Sequence, residues 1–446
     1  MTPFLTFLSS ILFIAAVTLT PELSSAEPDK NLTTTQKLRN DMTLISRETP
    51  GSDIVTLSVT FMTGSADESF NKRAINELAM EAMTYSTKKF NKAKIFSLTE
   101  KYSIGLACRG GIEMSQCSIQ TVNEYLPQAI DLLASVVTEP SFNKDDVTLA
   151  KQQRVADYQR DIQNPESHAN TTVNTVFYDL HHPYRLLPQD GIKQTESLTA
   201  EDLKSYHRSL LDASKIFLTY AGPKMSAKIR KNIVSKFEKI SKLNSPKKIV
   251  AAPLFEPKNS IAFEHRQIPT AYIRVKFNAP SILAKDAAAA DIMFEILSQK
   301  LQEEIRTKRS LSYAVYAGTI QYNQGIGVLS VSTSKPKETL EAMAAVVKSF
   351  KELGVTQEEL NEYRNIFTTS YFLTLESHGS LAGALSSFQF YFGDAKKLYD
   401  LPQKISAVTP ADIQRIARDV LKNFRIGVVY DKEKFETKWL DVLTKV

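Results

Sequence analysis

Cysteine is almost absent: Cys108 and Cys117 are the only two in 446 residues. Neither has a histidine near it in sequence, which excludes a thiol nucleophile activated by an adjacent imidazole. Histidine is scarce too. His168, His181, His182, His207, His265 and His378 are the full set. None forms H-x-x-E-H or its inverse, and adjacent His181 and His182 point apart on any regular element, so the chain has no helical pair of metal-binding imidazoles. No G-x-S-x-G serine signature occurs. Charge of one sign is lacking as well: 55 basic and 49 acidic residues leave a net charge of +6 with no clustered basic face, which argues against nucleic-acid binding. After residue 20 no stretch is apolar enough to cross a bilayer.

What remains is an ordinary globular composition, 43% hydrophobic and 23% charged, long enough for two or three domains. Phe4 to Thr20 is almost wholly apolar and leads to Ser24-Ser25-Ala26. This reads as a secretory signal peptide over 1–26, cleaved after Ala26, although its first residues carry no Lys or Arg; a retained N-terminal anchor is the alternative. The expected location is the periplasm or outside the cell, with no membrane span after cleavage. Glu27 to Gln36 is polar and reads as a flexible lead-in. A segment rich in Lys, Ser, Pro and Asn, 241–260, reads as a linker between domains at 37–240 and 261–446.

The two halves repeat one another. Leu198-Thr199-Ala200-Glu201-Asp202-Leu203 matches Val408-Thr409-Pro410-Ala411-Asp412-Ile413, and Asn143-Lys144-Asp145-Asp146 matches Thr356-Gln357-Glu358-Glu359. Each half carries period-2 strands and period-3.6 helices, so the predicted fold is α+β: two tandem homologous domains, each a mostly antiparallel sheet with helices packed on one face. Ile104 to Cys108 and Cys117 to Val122 read as a hairpin around Gly110-Gly111. If its turn centres between Ile112 and Glu113, Cys108 and Cys117 face each other. In an exported protein they then form a disulfide; the other reading is two small buried thiols.

One stretch concentrates polar chemistry. Met293, Leu297, Leu301 and Ile305 make an apolar helical stripe, and Tyr313 to Gln321 and Ile326 to Thr333 read as strands joined by Tyr322-Asn323-Gln324-Gly325. Arg306 therefore leaves a helix end and Tyr313 opens a strand seven residues later. Held together, a guanidinium and a phenol can donate to one carbonyl oxygen; the other reading is a surface arginine and a packed tyrosine, the commoner fate of each type taken alone. The segment R-T-K-R-S-L-S-Y followed by a hairpin resembles the second domain of the pitrilysin/insulinase family of zinc metallopeptidases. The resemblance implies that Arg306 and Tyr313 bind the substrate backbone beside a zinc centre, and that the two domains form a clam-like cleft.

The same resemblance shows what is missing. Catalytic relatives carry H-x-x-E-H on the helix that falls here at Asn71 to Tyr85. Glu77 and Glu81 stand at the histidine positions and Met80 at the glutamate position. A glutamate pair one turn apart is expected to be solvated surface, since carboxylates alone suit calcium or magnesium better than zinc. The next long helix, source of the third ligand in relatives, reads Lys151-Gln152-Gln153-Arg154. No cofactor is therefore expected in this chain. The resemblance implies a non-zinc subunit that supplies Arg306 and Tyr313, with zinc in a homologous H-x-x-E-H-bearing partner and an extended peptide as substrate. The alternative is a catalytically inactive peptide-binding or scaffold protein of the same fold, as the core proteins of the mitochondrial cytochrome complex are.

Overall fold

In the computed structural model, which describes residues 29–246 and 259–446, two α+β domains follow one plan. The leader at 1–26 and most of the 241–260 linker lie outside the described residues. The first domain runs β1 (Thr33–Lys37), β2 (Thr43–Glu48), β3 (Ile54–Phe61), α1 (Ile75–Met83), α2 (Lys92–Lys101), β4 (Gly105–Arg109), β5 (Ser115–Val122), α3 (Leu126–Thr138), α4 (Lys144–Gln163), α5 (Pro165–Phe177), α6 (Pro188–Ser197), α7 (Ala200–Leu210), β6 (Ile216–Gly222) and α8 (Ala227–Phe237). The second runs β7 (Ser260–His265), β8 (Ala271–Ala279), α9 (Ala287–Leu301), β9 (Ala314–Gln321), β10 (Gly325–Thr333), α10 (Pro336–Leu353), α11 (Gln357–Glu376), α12 (His378–Phe392), α13 (Leu401–Ser406), α14 (Pro410–Val420), β11 (Arg425–Tyr430) and α15 (Asp441–Thr444).

The sheets are ordered β1-β2-β6-β3-β5-β4 and β7-β11-β8-β10-β9. In each, the closing strand of the domain pairs in parallel with an opening one, β6 with β2 and β11 with β7, and the other pairings are antiparallel. The repeat is visible in the helix starts. Thr199 and Thr409 cap α7 and α14, each with an aspartate three residues on, Asp202 and Asp412, completing a capping box. Asn143 and Thr356 cap α4 and α11, which are both 20 residues long.

Period-2 alternation sorts each central strand. In β6, Ile216, Leu218 and Tyr220 enter the core built with α1, α3, α7 and α8, while Phe217 and Ala221 face the other way. That second face is covered from across the molecule: Leu381, Ala382 and Leu385 of α12 pack there. The exchange is reciprocal, because α5 crosses the corresponding face of β11 and β8. The crossing is so close at Gly427 that an added Cβ would lie 2.4 Å from the Val173 backbone nitrogen, which is why a glycine interrupts an otherwise apolar strand.

Two sequence expectations are corrected. The lead-in expected to be flexible contains β1: β-branched Thr33, Thr34 and Thr35 pair with β2 although their outward faces carry no hydrophobic signal. Helix α1 starts later than its apolar pattern suggests. Ala74 adopts a left-handed φ of 69°, and the buried Glu68 carboxylate caps the helix by accepting from the Ala74 and Asn76 amides at 3.1 and 2.7 Å.

A buried carboxylate joins the domains. Glu113, in the β4–β5 turn, accepts from the Asn323 backbone amide at 3.1 Å, the Asn323 side-chain amide at 2.8 Å, the Tyr391 hydroxyl at 2.7 Å and the Tyr184 hydroxyl. Asn323 lies in the β9–β10 turn, the counterpart of the turn that carries Glu113.

A second enclosed carboxylate sets a pH dependence. Asp291 of α9 accepts from Gln321 at 2.7 Å and Thr319 at 3.2 Å, yet burial lifts its pKa from 3.8 to about 7. The folded state then binds more protons than the unfolded chain between those values, so this group lowers stability as pH rises through that window. Asp291→Asn is expected to shrink the loss of thermal stability between pH 5 and pH 8, measured as the difference in Tm.

Candidate functional site

Helix α9 does not stop at Leu301 but widens into a π-helical turn, Gln302–Lys308, that contains Arg306. Such turns are rare, and a widened turn re-aims the side chains beyond it. Leu301 and Ile305 are fully buried and anchor its inner side. The chain then reverses at Ser310, with φ of 50°. The Ser310 amide donates to the Arg306 carbonyl at 3.2 Å and the Leu311 amide to the Ile305 carbonyl at 2.8 Å.

The next residues are clamped to the end of β10. Ser312 Oγ donates to the Ser332 carbonyl at 2.6 Å and accepts from the Ala314 amide at 3.1 Å; Thr333 Oγ1 donates to the Leu311 carbonyl at 2.8 Å. Tyr313 sits in this fastened turn, one residue before β9, with 92% of its surface exposed. Neighbouring cations are neutralised locally: Lys308 pairs with Glu303 at 2.9 Å and Arg309 with Glu304 at 2.6 Å. Among the described residues the side chains of Arg306 and Tyr313 make no hydrogen bond or ion pair. Arg306 and Tyr313 are both exposed, one on the π-helical turn and the other on the fastened turn that follows it.

The other candidate residues lie in the first domain. Met80 is buried in the core. Glu77 and Glu81, expected to be solvated, are not. Their side chains retain only 11% and 17% exposure, and both turn to Arg154 of α4. The sequence had marked Arg154 only as the absence of a glutamate. Its Nη1 lies 3.3 Å from Glu77 Oε2 and its Nη2 3.2 Å from Glu81 Oε2. Burial raises the pKa of Glu77, with Arg154 and Tyr158 working against that rise. Among the described residues no group of three or more His, Cys, Asp or Glu side chains could hold a metal ion.

Cys108 and Cys117 are bonded to each other as a cross-strand pair of β4 and β5. The adjacent histidines diverge: His181 packs on Phe70 with ring centroids 4.5 Å apart, His182 stacks on Tyr178 at 4.7 Å. The structure does not bring the two candidate sites together. Helix α1 packs against α4, α6, α7, β4 and β5, whereas α9 and its π turn pack against β9, α10, α11, α13 and α14. No helix among the described residues is long and apolar enough to cross a membrane.

Comparison with known proteins fits this geometry. The insulinase (peptidase family M16) model matches residues 43–185, and the peptidase M16 inactive domain model matches residues 197–367. Zinc protease PqqE of Helicobacter pylori is 21% identical over 398 residues, spanning 85% of this chain and 88% of its own. The non-peptidase homolog YmxG of the same species is 21% identical over 379 residues, spanning 82% and 84%. Among solved structures, a peptidase M16 inactive domain from Pseudomonas fluorescens shares the fold with a TM-score of 0.82 and 20% identity, over 90% of this chain and 98% of that one. The periplasmic protease PqqL from Escherichia coli does so with a TM-score of 0.77 and 16% identity, over 90% of this chain but 45% of PqqL.

Proposed function

Because the chain belongs to the insulinase family, peptidase family M16, we propose that it is the non-zinc subunit of an exported two-chain metallopeptidase. In this reading 261–446 presents Arg306 and Tyr313, 37–240 is the domain with the degenerate metal motif, and a homologous H-x-x-E-H-bearing subunit brings the zinc. The leader at 1–26 directs export and is removed after Ala26. The observation that carries the proposal is the asymmetry between the two sites. The metal-motif helix is closed by an internal ion cluster, while Tyr313 stands 92% exposed on a fastened turn with no hydrogen-bond partner among the described residues. The 45% coverage of PqqL supports it further, since a chain of this size corresponds to half of that protease.

The roles follow from donor chemistry. The Tyr313 hydroxyl donates to the carbonyl oxygen that gains negative charge when the scissile peptide is attacked. Arg306 holds a neighbouring carbonyl or carboxylate of the substrate, fixing its register. The metal and its bound water belong to the partner. The peptide lies extended along a sheet edge, so backbone hydrogen bonds supply much of its binding.

A second reading, a peptide-binding or scaffold protein without catalysis, is favoured by the likeness to YmxG, named a non-peptidase homolog. Isolation separates the two. The peptidase reading expects this chain to co-purify with an H-x-x-E-H-bearing homologue from its own organism as a complex containing zinc, all of it in the partner. Stoichiometric zinc on this chain alone, or failure to form the pair, counts against it.

A further inference from the structure

The family implies zinc on α1, and the residues here do not fit it. Positions 77 and 81 hold carboxylates, the intervening base position holds buried Met80, and a cation already occupies the space between α1 and α4. We propose that Arg154 is the resident counter-ion of a converted metal site: a fixed guanidinium that ties α4 to α1 where catalytic relatives use a metal, and that bars a metal from binding.

The geometry supports this in three ways. Arg154 uses separate nitrogens for the two carboxylates, 3.3 Å to Glu77 and 3.2 Å to Glu81, as only a planar fork can, and Nη1 also reaches Asp157 at 3.7 Å. Two phenols complete the cluster: Tyr85 donates to Glu81 Oε1 at 2.8 Å, and Tyr158 donates at 3.4 Å to Glu77 Oε2, the oxygen that also faces Arg154. Finally, the charges are inverted. Two anions on α1 face a cation on α4, so the acid pair does not enter the interface without a counter-charge. Burial opposes the charge on Arg154, but Glu77 and Glu81 outweigh it and hold the guanidinium protonated. An entering divalent ion would have to expel that guanidinium from both carboxylates, leaving it only the 3.7 Å contact with Asp157.

The proposal concerns this chain alone and does not depend on a partner subunit. It is tested by thermal unfolding of the full-length protein, so its failure is distinguishable from failure of the peptidase reading. Wild type is expected to keep its Tm with chelator and with added Mn²⁺. Arg154→Met should unfold several degrees lower, because Glu77 and Glu81 are left facing each other. The triple variant Glu77→Gln/Glu81→Gln/Arg154→Met should recover most of that loss. Arg154→Ala vacates the oxygens of Glu77 and Glu81 and should gain stability with Mn²⁺, which suits oxygen ligands completed by water. A wild-type Tm that falls with chelator overturns the proposal. So does an Arg154→Met protein as stable as wild type, a triple variant no better than the single one, or an Arg154→Ala protein indifferent to Mn²⁺. If Arg154→Met does not fold, a folded triple variant supports the proposal and an unfolded one overturns it.

Discussion

Tyr313→Phe, assayed in the assembled pair, is expected to lower kcat by on the order of a hundredfold or more, about 3 kcal/mol of lost transition-state stabilisation. The change removes one hydroxyl from a side chain that is 92% exposed, and the turn beneath it is held by Ser312 and Thr333 rather than by the ring. Fold and assembly should therefore be untouched. Arg306→Ala should differ in kind. A group that holds substrate equally before and during reaction moves KM, whereas an oxyanion donor moves kcat. Equal kcat for wild type and Tyr313→Phe would remove Tyr313 from the chemistry. A drop in Tm alongside the lost activity would instead make it a structural residue.

The second large effect concerns stability. Glu113→Ala deletes the acceptor for Asn323, Tyr184 and Tyr391, leaving several donors unsatisfied at the seam between domains. Leaving a buried donor unsatisfied costs about 1–3 kcal/mol. Because Glu113 belongs to one domain while Asn323 and Tyr391 belong to the other, the expected signature in denaturant is a loss of cooperativity, with one transition separating into two. A single transition at the wild-type midpoint would show that the seam is held by the exchanged helices α5 and α12 alone.

The sequence carried the plan of the fold because the plan is local and stated twice. The capping residues Thr199 and Thr409 and the starts at Asn143 and Thr356 are fixed by neighbours three residues away, so equal spacing in the two halves revealed equal structures. The exchange of α5 and α12 was not legible. A helix shows which of its faces is apolar but not whose sheet it will meet, and the one local trace, Gly427 in a β-branched strand, acquires meaning only when Val173 is seen above it.

The candidate sites divide in the same manner. Short-range patterns placed Arg306 at a helix end and Tyr313 at a strand start, but only the family resemblance singled them out as a site. The pairing of Glu77 and Glu81 with Arg154 spans more than seventy positions, and an i, i+4 acid pair alone reads as surface. A usable signal was there: an arginine, Arg154, on α4 at the place where relatives supply a ligand, with two acids on the neighbouring helix that needed a counter-charge. Glu113 had no such signal, since its donors come from three separate segments.

If labour is divided between two chains, peptide turnover needs both. This chain, its H-x-x-E-H-bearing partner, their mixture, and a mixture made with Arg306→Ala/Tyr313→Phe should each be given a quenched peptide. Turnover is expected from the wild-type mixture only, and chelator should abolish it. Cleavage by this chain alone that survives chelator, or undiminished cleavage by the mixture lacking both side chains, would contradict that division.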